Sequence, residues 1–243
     1  MKDFLLIIPA YNEEENVAKV LDSIKAQKLE IDIMVINDGS TDKTTDIVEN
    51  MGVKVLDMHY NSGYGVVCQT GFKYALKKGY KYVLQMDSDG QHRAEDLYKL
   101  IDELKKGESD IVIGSRFLEK NNYKFGFLKK IATGIFIFAI KKSTGTKITD
   151  PSSGFQGLNR RAFEVYSKMD NYPEDYPDAD VIMKMLLNGF RIKEIPAIFL
   201  PRTAGTSMHT GLKPVYYMMK MILSIILIII KEKIINKKSI HKG

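Results

Sequence analysis

The strongest constraint on this chain's fold is an alternation that runs through its first half. Phe4-Ile8, Ile31-Ile36, Val53-Leu56, Tyr80-Met86 and Asp110-Gly114 are short apolar runs, of the kind that form strands buried on both faces. Helical patterns lie between most of them. Val17, Val20, Leu21 and Ile24 recur at i, i+3, i+4 and i+7, and Asn12 with Glu15 three residues on offers a helix start. Leu97, Leu100, Ile101 and Leu104 repeat that spacing. Strand and helix in alternation predict a mostly parallel α/β sheet with helices on both faces.

The second half is less regular. Residues 123–142 read as a basic-flanked helix, 153–158 as a short strand, 178–188 as a helix ended by Gly189, and 191–200 as extended chain whose Pro196 suits a sheet edge. No internal repeat or low-complexity linker interrupts the 243 residues. The simplest division is one domain over 1–211 and a C-terminal extension over 212–243.

In that extension Tyr216 and Tyr217 come before a ten-residue stretch, Met221 to Ile230, that is apolar except for Ser224. Ten helical residues rise roughly 15 Å, whereas crossing a bilayer takes about 20 residues. A membrane-associated helix, interfacial or partly inserted, fits better; a helix closing the core or a dimer seam is the alternative. Lys231, Lys233, Lys237, Lys238 and Lys242 against Glu232 then hold much of the formal charge of +6. The expected partner is therefore an anionic membrane surface rather than nucleic acid. A lone cysteine, Cys68, excludes an internal disulfide, and five apolar residues before Pro9 are too few for a signal-peptide core. Both point to the cytoplasmic face of the cell membrane.

Open α/β sheets bind ligands beyond the carboxyl ends of their strands. The segments there are Pro9-Ala10-Tyr11-Asn12-Glu13, Asn37-Asp38-Gly39-Ser40-Thr41-Asp42 and Asp87-Ser88-Asp89-Gly90. Where a dinucleotide-binding enzyme needs its glycine-rich turn, this chain carries Glu13-Glu14-Glu15, which would repel a phosphate, and it has no Walker A loop. Asp87 and Asp89, two apart at the end of an apolar run, point to one side of the sheet edge. Two hard oxygen donors suit Mg²⁺ or Mn²⁺, which keeps waters and takes further ligands from a substrate diphosphate. The competing reading is a turn with solvated acids, and Asp178 and Asp180 show the same spacing. Asp38 faces the same edge, inside a segment that also reads as a turn and helix cap.

To these segments the chain adds Gln91-His92, Gly114-Ser115-Arg116-Phe117, Ser153-Gly154-Phe155 and Arg202-Thr203-Ala204-Gly205-Thr206-Ser207. In this order the set resembles family 2 glycosyltransferases of the GT-A, Rossmann-like fold, over about residues 3–210, in the branch of dolichyl- and polyprenyl-phosphate sugar synthases. The resemblance implies that Pro9, Ala10, Tyr11 and Glu13 contact the nucleotide and that Asp38 accepts a hydrogen bond from its base. It implies that Asp87, Ser88, Asp89 and Gln91 lie along the donor diphosphate, with Asp87 and Asp89 holding the metal. Arg116 and Arg202 match arginines that neutralise phosphate, a role suited to a planar fork of donors. Among four acids in 173–180, Asp178 and then Asp180 best fit the family's catalytic base; with an ionised lipid phosphate as acceptor they would instead orient substrate or metal.

One stretch departs from the family. Many members place a Lys or Arg and small residues between Asn61 and Gly71, where this chain has Tyr64, Val66, Val67, Cys68 and Gln69. Gly63 and Gly65 still leave room for close backbone approach to the donor. Cys68 reads as a packing residue and His92 as a residue near substrate at a helix start. The implied activity is metal-dependent, inverting transfer from a nucleotide-sugar donor, UDP preferred, to a polyprenyl phosphate. The alternatives are transfer to a saccharide or lipid-linked glycan hydroxyl during envelope polysaccharide assembly, and a nonenzymatic module that binds a sugar nucleotide and recruits a partner. A small membrane partner and a homo-oligomer stay open.

Overall fold

The computed structural model describes residues 2–118, 127–170, 172–175, 177–201 and 213–240. Among them seven strands form one sheet: β1 (Phe4–Ala10), β2 (Ile31–Asn37), β3 (Lys54–Asp57), β4 (Tyr82–Gln85), β5 (Ile111–Ser115), β6 (Gln156–Asn159) and β7 (Ile192–Pro196). Their order is β3-β2-β1-β4-β6-β5-β7. Neighbours are parallel except β6, which runs antiparallel to β4 and to β5. The sheet is thus mostly parallel, as the alternation predicts, and the strand carrying Pro196 lies at its edge.

The chain divides into two compact units. The first is Met1–Tyr123, Ser153–Pro177 and Phe190–Gly205; the second is Lys124–Ser152, Asp178–Gly189 and Thr206–Gly243. The first holds the sheet with α1 (Val17–Ala26), α2 (Thr44–Asn50), α3 (Tyr64–Lys78), α4 (Leu97–Lys105) and α6 (Arg160–Lys168); the second holds α5 (Phe127–Thr144), α7 (Ala179–Leu187) and α8 (Lys213–Ile240).

The period of two along β1 sorts its side chains between two layers. Leu6 and Ile8 join Val17, Leu21 and Ile24 of α1 and Leu97, Leu100 and Leu104 of α4 in one buried cluster. Ile7 points the other way, towards α3. Gly71 lets that helix come close, because a Cβ there would lie 2.7 Å from Ile36 Cδ1 and 2.9 Å from Ile7 Cδ1. Phe72, one residue on, is fully buried and meets the Tyr166 ring of α6 at 5.4 Å. Each such side chain contributes about 1.5–3 kcal/mol of burial on its own face of the sheet.

Two local expectations are corrected. Helix α1 starts at Val17 with Asn16 as its cap residue, not at Asn12 with Glu15 reaching back. Asn12 has φ 52° and is engaged elsewhere: its backbone N–H donates to Ser40 Oγ (2.9 Å), and its Oδ1 accepts from Thr41 N–H (2.8 Å). Tying the end of β1 to the end of β2 leaves it no part in the helix. At the other terminus α8 continues through the lysines expected as a tail, as far as Ile240; lysine and glutamate are good helix formers.

At the amino end of β5, Asp110 fastens the far side of the sheet. Its carboxylate accepts from Arg191 N–H (2.8 Å), Asn159 Nδ2 (2.9 Å) and Arg161 Nη1 (3.1 Å). Burial pushes the carboxyl upward, but the donors from Arg191 and Asn159 outweigh it and hold the pKa at about 2.

Within the second unit α7 packs on α5 and α8. Helix α8 buries Met221, Ile225 and Ile228, yet Met219, Ile222, Leu223, Ile226, Leu227 and Ile230 stay exposed. On α5, Phe136 and Ile140 are buried while Ile131, Ile135 and Phe138 are exposed. Among the described residues no helix is long and apolar enough to cross a membrane.

Candidate active site

Every parallel strand ends on the same edge of the sheet. Antiparallel β6 begins there, so the turn before it, Ser153–Phe155, reaches that edge as well. Asp38 follows β2 directly, Asp87 lies two residues past β4, and Arg116 follows β5. Strand β1 separates β2 from β4, which sets the two carboxylate positions about 10 Å apart.

The loops after β2 and β4 are pinned to the end of β1. Asp38 N–H donates to Ala10 O (2.8 Å) and buried Ser88 donates its Oγ–H to Pro9 O (2.7 Å). Glu13 is buried; its N–H donates to Thr44 Oγ1 (2.9 Å) and its Oε2 accepts from Asn16 Nδ2 (2.7 Å). Tyr11 is exposed, so its ring is open to a ligand at this edge.

Residues 62–64 span the gap between the two acids. Asp38 Oδ1 accepts from Ser62 N–H (2.7 Å) and Oδ2 from Gly63 N–H (3.0 Å). Burial raises the Asp38 carboxyl above its ordinary value, against the opposite pull of the Ser62 and Gly63 donors. The next residue, Tyr64, donates its hydroxyl to Asp87 Oδ1 (2.8 Å). One short segment therefore touches both carboxylates at this edge of the sheet.

Asp87 is held from several sides. Tyr64 OH accepts from Gln85 Nε2 (2.8 Å). The Asp87 backbone N–H donates to His92 Nδ1 (3.1 Å), which leaves the imidazole proton for Nε2, 3.6 Å from Asp87 Oδ2. His92 is itself buried between the Phe155 ring (5.3 Å) and the Phe199 ring (4.7 Å). Asp89 Oδ1 accepts from Gln91 N–H (3.0 Å) across Gly90, whose φ is 76°. Gln91 O accepts from Leu200 N–H (2.7 Å), strapping this turn to the chain beyond β7. Arg116 is buried with its guanidinium 4.9 Å above the Phe199 ring.

Glycines make room for this arrangement. A Cβ on Gly154 would lie 2.7 Å from both Asp87 Oδ2 and Tyr64 OH. Gly65 has no space for one either, since it would meet Pro173 O at 1.8 Å. The close approach Gly65 allows is to the backbone of 173–174, where its N–H donates to Glu174 O (2.6 Å).

The remaining expected residues are placed separately. Asp178 and Asp180 belong to the second unit, at the start of α7. Asp180 is buried, and its Oδ2 accepts from Ser224 Oγ of α8 (2.7 Å). Arg202 lies outside the described residues. Sequence reasoning missed the parts played by Gln85 and Tyr64 and gave His92 no bond to Asp87. A tyrosine framed by two glycines at a helix start was the available signal.

The donor set fits a divalent cation. Among the described residues no three acids, histidines or cysteines converge as a protein-only cage. Asp87 and Asp89 nevertheless offer hard oxygens, and Tyr64 takes only one lone pair of Asp87 Oδ1. That suits Mg²⁺ or Mn²⁺, which keep waters and complete their shell on phosphate oxygens.

The fold is that of the GT-A glycosyltransferases. The sequence profile of Glycosyl transferase family 2 matches residues 5–167, and the chain belongs to that family. It is 30% identical over 222 residues to the polyprenol monophosphomannose synthase of Mycolicibacterium smegmatis, covering 85% of this chain and 81% of the relative. It is 26% identical over 233 residues to the UDP-N-acetylglucosamine–dolichyl-phosphate N-acetylglucosaminyltransferase of Methanococcus voltae, covering 87% and 92%. Among solved structures, glucosyl-3-phosphoglycerate synthase from Mycobacterium tuberculosis with Mn²⁺ and UDP-glucose superposes with a TM-score of 0.68 at 18% identity, covering 93% of this chain and 78% of that one.

Proposed function

We propose that this chain transfers a sugar from a nucleoside-diphosphate donor, UDP preferred, to a polyprenyl phosphate at the cytoplasmic face of the cell membrane, with inversion at the anomeric carbon. The observation that carries the reading is the span of residues 62–64 from Asp38 to Asp87, which ties the carboxylate proposed for the base to the one proposed for the cation on the diphosphate. The two relatives named above support the acceptor: their sugars differ, and both names specify a lipid phosphate.

Pro9, Ala10, Tyr11, Glu13 and Asp38 bind the nucleoside, and Ser88 and Gln91 shape the path of the diphosphate. Asp87 and Asp89 would hold Mg²⁺ or Mn²⁺, which when bound supplies positive charge against the donor diphosphate. Arg116, joined by Arg202, donates paired hydrogen bonds to phosphate oxygens as negative charge builds on the leaving group. The acceptor oxygen attacks the anomeric carbon opposite the departing diphosphate, so no enzyme nucleophile is required. A lipid phosphate is ionised near neutral pH, so the transfer does not require Asp178 or Asp180 as a base.

The exposed apolar faces of α5 and α8, with Lys130, Lys141, Lys142 and Lys231 at their ends, support a bilayer surface as the working environment. The test is incubation of the purified chain with vesicles containing polyprenyl phosphate, Mn²⁺ and a panel of radiolabelled nucleotide sugars. The reading expects an acid-labile lipid-phosphate sugar, lost in Asp87→Asn. A label found only on a lengthened glycan moves the acceptor to a saccharide hydroxyl, and nucleotide binding without turnover across the panel makes the chain a nonenzymatic module.

A further inference from the structure

We infer that Tyr64 is a positioning residue for the cation-binding carboxylate of Asp87, an inference that rests on the metal assignment above. Tyr64 stands where a basic or small residue was expected, and its hydroxyl sits at the centre of a relay. Gln85 Nε2 donates to it, which turns its own proton towards Asp87 Oδ1. A phenol that already accepts from Gln85 has one proton to give, and Asp87 receives it.

The backbone around Tyr64 is built to hold this orientation. Gly63 adopts φ 98° and donates its N–H to Asp38. Gly65 is locked against 173–174 by its bond to Glu174 O. Gly154 leaves open the space that the hydroxyl and the Asp87 carboxylate share. Tyr64 thus enters between two fixed points, and on its other side Asp87 is oriented by His92 through the backbone N–H. The bond from Tyr64 fixes the rotation of the carboxylate. A bond of this kind to a ligating carboxylate typically changes metal affinity by about 10–100-fold.

The experiment measures Mn²⁺ uptake by the full chain beside UDP or GDP, whichever the wild-type chain binds, from the loss of the free aquo-ion signal in electron paramagnetic resonance. Tyr64→Phe keeps the ring and removes only the hydroxyl. It is expected to weaken Mn²⁺ binding about tenfold, while affinity for the nucleotide without Mn²⁺ stays at the wild-type value; the thermal midpoint falls modestly, because the buried Gln85 amide loses its acceptor. Gly154→Ala, which crowds the same carboxylate without touching the hydroxyl's chemistry, is expected to weaken Mn²⁺ binding as well. Wild-type Mn²⁺ affinity in Tyr64→Phe, with Asp87→Asn still deficient, overturns the inference and leaves the proposed function standing. A wild-type chain that takes up no Mn²⁺ beside nucleotide, or an Asp87→Asn variant that takes it up unchanged, overturns the metal assignment and the inference with it.

Discussion

Adding one methyl group at position 65 sets two effects of opposite sign against each other. Gly65 lies in the first turn of α3, so helix propensity alone favours Gly65→Ala by up to about 1 kcal/mol. Sterics oppose it: the new Cβ would lie 1.8 Å from Pro173 O, 2.8 Å from Glu174 O and 2.9 Å from Pro173 C. All three are backbone atoms, so no side chain can swing aside. Restoring ordinary contact requires the segments to part by about 1.5 Å, which breaks the hydrogen bond from Gly65 N–H to Glu174 O. Loss of that bond costs about 1 kcal/mol, and the forced displacement about 1–3 kcal/mol. The net expectation is destabilisation by about 2 kcal/mol, read in urea as a midpoint lowered by roughly 1 M at a slope near 2 kcal/mol/M. Because Tyr64 shifts with its neighbour, Mn²⁺ uptake should fall too. A variant as stable as wild type, or more so, would refute the steric reasoning.

Gly134 supplies the converse case: it sits within α5, and a methyl group added there would meet nothing within 4 Å, so Gly134→Ala should raise stability by up to about 1 kcal/mol in the same urea series. Asp110, held at about 2, lies below the unfolded carboxylate value of about 3.9. Its contribution, roughly 2 kcal/mol, is complete above that value and disappears as pH falls through about 2; the stability gap between wild type and Asp110→Asn should therefore narrow between pH 5 and pH 2 in unfolding curves. Ser224→Ala deprives buried Asp180 of a donor and should lower stability by about 1.5–3 kcal/mol, with faster amide hydrogen exchange in α8. Replacing exposed Ile222 and Ile226 by glutamine, which removes apolar surface without adding charge, should leave the thermal midpoint unchanged and reduce co-sedimentation with anionic vesicles; equal sedimentation would count against the membrane surface.

Local patterns were readable where local forces decide the outcome. The run Phe4 to Ile8 is apolar throughout because β1 is covered on both faces, and Val17, Val20, Leu21 and Ile24 recur at helical spacing because only one side of α1 is buried. Three features depend on partners distant in sequence and left no local trace. The segment 153–158 reads as a strand, but the antiparallel insertion of β6 between β4 and β5 is set by what lies beside it. Asn12 looks like a helix cap until Ser40 and Thr41 compete for it. Asp38, Asp87 and Arg116 could be placed at the sheet edge because each closely follows an apolar run. Tyr64 could not be paired with Asp87, because that contact is made by an α3 side chain reaching across to β4.

The insertion of β6 also governs the order in which the protein can be completed during synthesis. Strands β1 to β4 form a contiguous set that can pair once Gln85 has emerged, but β5 then appears without a neighbour, since both of its partners are translated later. Until β6 arrives, a nascent chain presents the open side of β4 and the Ile111-Val112-Ile113 run of β5, two sticky borders awaiting the same strand. Translation that stalls before Asn159 should therefore yield aggregates rather than a smaller soluble protein.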